Sequence, residues 1–133
     1  MGFWMQMDIK KLPADRGNGF FKFLFCVYTP LLFLITLLPI DLIQSESSGW
    51  FEKFSFENQD KLVHFLLFFI FTLLFFFSAF TRRNFLIWLM PLLTGILIEI
   101  LQQLTGWGRT FDVFDILANA VGIFAAWLLV KKL

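Results

Sequence analysis

Apolar residues in this chain run together in long blocks separated by short polar breaks. A helix crosses the roughly 30 Å hydrocarbon layer of a bilayer with about 20 residues. Four blocks reach that length: residues 20–43, 62–80, 85–104 and 112–130. Length carries this assignment, because helical periodicity is hard to read where almost every position is apolar. Pro30 lies inside the first block and Pro91 inside the third. Neighbouring helices re-satisfy the carbonyls that a proline frees in a membrane, so a kink is expected rather than a break. The first block is too long for a secretory signal and no small-x-small cleavage site follows it, so it is expected to be retained. Residues 44–60 form the one sizeable external loop, where Trp50, Phe51, Phe54 and Phe56 alternate with acidic and small residues. A short amphipathic piece at headgroup depth and an ordinary solvated loop both fit that pattern.

Composition agrees with the blocks. Apolar residues make up 59% of the chain and charged residues 16%, and 21 of the 133 residues are phenylalanine. A soluble domain of this size buries only part of its surface and has nowhere to hide so many rings. Lipid does, since a membrane helix is apolar on its outside as well. The single cysteine, Cys26, rules out an internal disulfide and a thiolate-built zinc site. A net charge of +1 gives no reason to expect nucleic acid as a partner.

The distribution of charge adds an orientation. With four spans, Lys10, Lys11, Arg16, Lys22, Arg82, Arg83, Lys131 and Lys132 fall on one side, and only Lys53, Lys61 and Arg109 on the other. Cytoplasmic loops carry the lysine and arginine excess. The expectation is therefore an all-α polytopic membrane protein, one membrane domain over residues 1–133, with four transmembrane helices and both termini cytoplasmic.

That topology brings polar residues from three spans to one depth. Asp60, Lys61 and His64 lie in the outer turns of the second span, Glu99, Gln102 and Gln103 in those of the third. Asp112, Asp115 and Asn119 occupy the outer half of the fourth, and Arg109 the short loop before it. Asp112, Asp115, Asn119, Gly122 and Ala126 fall on a single helical stripe, polar above and small below. The small part suits close helix contact, within the chain or in an oligomer. Ionisable groups at membrane depth are costly and face the bundle interior or a wet cavity. Glu99, about one and a half turns inside its helix end, is the most informative, with Arg109, Lys61 and His64 as expected charge partners.

Plainer accounts exist for most of these residues. Asp60 and Asp112 suit helix N-caps, and Asp115 the positive end of its helix. Arg109 can reach a headgroup phosphate, and Lys61 can snorkel to the interface. His64 can make one structural hydrogen bond, and Gln103 and Asn119 can bond across helices.

Asp60-Lys61 with His64, Glu99-x-x-Gln102, and Arg109-x-x-Asp112-x-x-Asp115-x-x-x-Asn119-x-x-Gly122 together resemble the VanZ-like family of bacterial membrane proteins. The resemblance covers roughly residue 59 to the C-terminus. That family is named for a protein associated with low-level teicoplanin resistance. The resemblance implies a bacterial inner-membrane protein with a site facing the cell wall, more than it implies a particular reaction. The polar set it carries over is Asp60, Lys61, His64, Glu99, Gln102, Arg109, Asp112, Asp115 and Asn119.

Three classes of function follow. A binder of a lipid headgroup or lipid-linked wall precursor would use Lys61 and Arg109 for phosphate, Glu99 and the aspartates Asp60, Asp112 and Asp115 for hydroxyl or ammonium groups, and Gln102 and Asn119 for orientation. An enzyme would use Glu99, His64 and Asp115 as catalytic groups, with or without a divalent cation such as magnesium or manganese. A transporter would need a polar path through the inner halves of the helices, which four such apolar spans do not supply within one chain.

Overall fold

A computed structural model describes residues 17–38, 59–107 and 110–133. Four helices follow in chain order: α1 Gly19–Leu37, α2 Gln59–Ser78, α3 Asn84–Thr105 and α4 Val113–Lys131. All four are long and apolar enough to cross a membrane. The architecture is all-α and consistent with a four-span membrane protein. Arg109, the N-terminal cations Lys10, Lys11 and Arg16, and the aromatics Trp50, Phe51, Phe54 and Phe56 lie outside the described residues.

Local chemistry sets the helix ends. α1 stops at Leu37, short of the expected residue 43. Leu38 takes φ −58° and ψ 138°, the extended conformation that Pro39 imposes on its predecessor. α2 begins at Gln59, so Asp60 belongs to the first helical turn rather than to the loop that was expected to run to residue 60. It is therefore two positions past the N-cap, inside the helix. α3 closes at Gly106, whose φ of 63° is the left-handed conformation that glycine adopts without penalty. At the start of α4, Asp112 is the N-cap, its Oδ1 accepting from the Phe114 N–H at 2.8 Å.

The interior is layered along the bundle axis. A central cluster joins Leu32 of α1, Phe68 and Phe71 of α2, Ile98 of α3 and Ile123 of α4. A second cluster, at the end carrying Arg82, Arg83 and Lys131, joins Phe76, Ile87 and Val130. There Trp127 donates its indole N–H to Asn84 Oδ1 at 2.9 Å, while the Lys131 ammonium lies 4.9 Å from the Trp127 ring centroid. The outward faces keep Leu34, Ile70, Leu97 and Val121 exposed, which suits a surface against acyl chains. Inside the bundle, the Thr72 and Ser78 hydroxyls bond the carbonyls one turn back, at 2.8 and 2.6 Å.

α2 and α4 make the most extensive contact in the bundle, and Gly122 sets its closeness. A Cβ at Gly122 would lie 3.1 Å from the Phe65 carbonyl carbon and 3.2 Å from the Phe69 nitrogen. Only a residue without a side chain lets the two backbones meet there. That approach presses the turn of α4 above Gly122, bearing Asp115 and Asn119, against the turn of α2 bearing Asp60 and His64.

Candidate functional site

At the end of the bundle opposite Lys131, the first turns of α2 and α4 meet the last turns of α1 and α3. His64, Glu99, Gln102, Asp115 and Asn119 are all buried there, and none is more than 5% exposed. Glu99 points into the bundle. Below them Phe68, Ile98 and Ile123 form an apolar floor.

His64 is the hub. Its Nδ1 lies 3.0 Å from Asn119 Oδ1. With the amide oxygen as acceptor, Nδ1 carries the proton and donates it to Asn119. Nδ1 also lies 3.9 Å from Glu99 Oε1, and Nε2 faces Asp115 Oδ2 at 3.7 Å. One imidazole thus touches α3 and both residues of the α4 turn.

Lys61 is half-buried at the rim. Its Nζ is 3.6 Å from Asp112 Oδ2 and 3.9 Å from Asp115 Oδ1. Both approaches are longer than a hydrogen bond. Among the described residues no ion pair joins Lys61 to Glu99; the ammonium goes to the α4 aspartates because it sits one turn above His64, level with the α4 N-terminus. Glu99 takes a different partner, its Oε2 accepting from the Asp112 N–H at 3.4 Å. A carboxylate at the N-terminus of α4 suits the orphan N–H groups and the positive end of the helix dipole.

The two glutamines act between segments. Gln102 Nε2 donates to the Thr36 carbonyl of α1 at 2.7 Å, satisfying a carbonyl that the end of α1 leaves without a helical partner. Gln103 Oε1 accepts from the Phe111 N–H at 2.9 Å and ties the loop back to α3. Sequence reasoning overlooked Thr36, and also Gly95, where a Cβ would come within 3.1 Å of Asn119 Nδ2. A lone glycine within the apolar run of α3 was the signal for that close approach.

Among the described residues, three buried polar atoms have no hydrogen-bond partner: Glu99 Oε1, Asp115 Oδ1 and Asn119 Nδ2. An unmet buried polar group costs about 1–3 kcal/mol, more when charged. Asp60, His64 and Asp115 can also hold a divalent cation together, each offering one ligand atom within 4.8 Å of the others. A cavity of about 300 Å³ lies elsewhere, between α1, α2 and α3, and its walls, with Phe25, Phe71, Phe75 and Pro91, are apolar.

Residues 4–133 match the VanZ/LLP1 family. The chain belongs to that family. The match takes in nearly the whole VanZ-like chain, so the family extends over α1 and the segment after it, well before residue 59 where the resemblance of the polar residues begins. No curated protein and no solved structure matches this VanZ/LLP1 chain.

Proposed function

We propose that this VanZ-like protein acts in the bacterial cell envelope, and in glycopeptide resistance where that applies. It binds the phosphorylated headgroup of a membrane lipid or lipid-linked wall precursor at the polar end of the bundle. In this reading that end faces outward from the inner membrane and both termini lie in the cytoplasm. The observation that carries the reading is the unmatched set Glu99 Oε1, Asp115 Oδ1 and Asn119 Nδ2, two acceptors and one donor buried around His64. Such a set suits the hydroxyl or ammonium groups of a headgroup. Lys61 at the rim supplies positive charge for the phosphate, and Arg109, which lies outside the described residues, adds to it in this reading. The roles of Asn119 and Gln102 divide: Asn119 aligns His64, while Gln102 holds α1 in place.

Purified protein should bind a labelled lipid-linked wall precursor saturably and an anionic phospholipid more weakly. Glu99→Ala should weaken precursor binding at least tenfold. Absence of binding by the wild type, or equal binding by Glu99→Ala, would remove the reading.

A second reading is favoured by the face-to-face placement of His64 Nε2 and Asp115 Oδ2. It is a membrane-embedded enzyme acting on a phosphorylated envelope substrate, with His64, Glu99 and Asp115 as its acid–base groups. Release of phosphate or of a headgroup from labelled precursor, lost in His64→Gln, would favour it over simple binding.

A further inference from the structure

We propose that Asp60, His64 and Asp115 bind one divalent transition-metal ion, manganese or zinc, whose open coordination positions take the phosphate oxygen of the headgroup. The phosphate end of this proposal rests on the headgroup reading above; the metal site stands without it.

Three observations converge on the ion. The first is the donor set. Asp60 and His64 are four residues apart and share one face of α2, and Asp115 faces them from the first turn of α4. Their ligand atoms already lie within 4.8 Å of one another, and His64 Nε2 is 3.7 Å from Asp115 Oδ2. Ligands about 2.0–2.1 Å from one zinc ion stand about 3.3 Å apart, so the His64–Asp115 pair needs only a few tenths of an ångström.

The second is the state of the imidazole. Asn119 Oδ1 holds the Nδ1 proton, which leaves Nε2 as the nitrogen directed at Asp115. With Nδ1 donating to Asn119, Nε2 can offer a lone pair toward Asp115 Oδ2, the arrangement of two ligands on one metal ion. A metal ion between them would take both atoms as ligands. An outer-shell carbonyl bonded to the far nitrogen is the usual way a ligating histidine is oriented. Asn119, itself buried, supplies it.

The third is charge. Asp60, Glu99, Asp112 and Asp115 place four carboxyl groups at this end against the single ammonium of Lys61 among the described residues. Lys61 approaches Asp115 on its Oδ1 side, whereas His64 faces Oδ2, so ammonium and metal would occupy opposite sides of one carboxylate. Glu99 and Asp115 are the buried members of that set, and a divalent ion beside Asp115 would offset their charge. Mixed imidazole and carboxylate ligands favour manganese or zinc over calcium.

The ion also answers a question of reach. Lys61 is already shared between Asp112 and Asp115. A metal at the rim, with ligands from three side chains and the rest of its shell open, offers phosphate oxygen a second cation.

Full-length protein purified in detergent and stripped with chelator should take up one Mn²⁺ per chain, measured by elemental analysis and by loss of the free-ion EPR signal. Pulsed EPR of the bound ion should show nitrogen coupling from a directly ligated imidazole. His64→Gln should abolish that coupling and weaken binding at least tenfold. Asp60→Asn lies at the exposed start of α2, where folding is least at stake, and should also weaken Mn²⁺ binding about tenfold. No bound ion, no nitrogen coupling, or an affinity unchanged in Asp60→Asn would overturn the site. Vesicles containing phosphatidate, vesicles of phosphatidylcholine alone, and inorganic phosphate then separate the sources of phosphate. Mn²⁺-dependent binding of phosphatidate vesicles supports the whole proposal, and Mn²⁺-dependent binding of inorganic phosphate alone supports the metal site while the lipid part falls. Mn²⁺ bound with no phosphate binding at all likewise leaves the metal site and ends the headgroup reading. Precursor binding undiminished by chelator keeps the headgroup reading and overturns the metal's part in holding the phosphate.

Discussion

Asn119 carries more of the site than its chemistry alone suggests. It is neither acid nor base, yet its Oδ1 fixes His64 Nδ1 at 3.0 Å and so decides which nitrogen faces Asp115. Asn119→Leu, of similar volume, should leave the helices assembled while freeing the imidazole to rotate. The expected outcome is a headgroup affinity at least tenfold lower with an unchanged far-UV circular dichroism spectrum. Glu99→Gln probes the neighbouring buried atoms. The amide oxygen can still accept from the Asp112 N–H, so stability should change by less than about 1 kcal/mol, whereas headgroup binding falls with loss of the charge. Thermal unfolding in detergent beside precursor binding separates the two effects. At this scale the sequence was legible where burial cost was the guide. Glu99 and His64 stand out because an ionisable group in an apolar run needs a reason. The partners were not legible. Lys61, His64 and Glu99 lie at similar depth, and a side chain's choice between Asp112, Asp115 and Glu99 turns on azimuth and rotamer, which spacing along one helix does not set.

Between helices, the same backbone contact that closes α2 on α4 creates the site. Gly122 is its hinge point: adding a methyl group would push against the Phe65 carbonyl carbon and the Phe69 nitrogen, both backbone and unable to swing aside. Gly122→Ala should therefore destabilise the fold by about 1–3 kcal/mol, the usual cost of overpacking, and weaken headgroup binding by spreading Asp115 from His64. Gly19→Ala is the control, since a Cβ there meets nothing within 4 Å. Thermal unfolding of the two variants in the same detergent checks the contrast. The Gly122 and Ala126 stripe was readable from sequence as a close-contact face, because small residues four apart have one common use in membranes. The ends of the helices were read less well. The α1 end depended on Pro39 acting one residue upstream, and the α2 start on Gln59 and Asp60 joining a helix although they are polar, a choice that apolar length does not register.

For the whole molecule, two chemically different ends follow from one pattern of charge. Asp60, Glu99, Asp112, Asp115, His64 and Lys61 gather at one end; Arg82, Arg83, Lys131 and Lys132 lie at the other, where Trp127, Asn84 and Lys131 form an interface-like cluster. Aromatic and basic residues of this kind settle at headgroup depth. The lysine and arginine excess sets orientation in short-looped proteins, and here the connection between α2 and α3 is among the shortest. Because α2 and α3 enter and leave the membrane on either side of Arg82 and Arg83, these two residues act on both helices at once. Replacing Cys26 and then introducing single cysteines at Asp60 and Lys132 gives a direct reading of sidedness. In intact cells a membrane-impermeant maleimide should label Asp60→Cys and spare Lys132→Cys, and permeabilisation should expose both. The reverse pattern would put the polar end in the cytoplasm and detach it from wall precursors displayed outside. If orientation is held by the paired arginines, Arg82→Glu with Arg83→Glu should yield a mixed labelling pattern, while Lys53→Glu, which removes charge from the other side, should leave it unchanged.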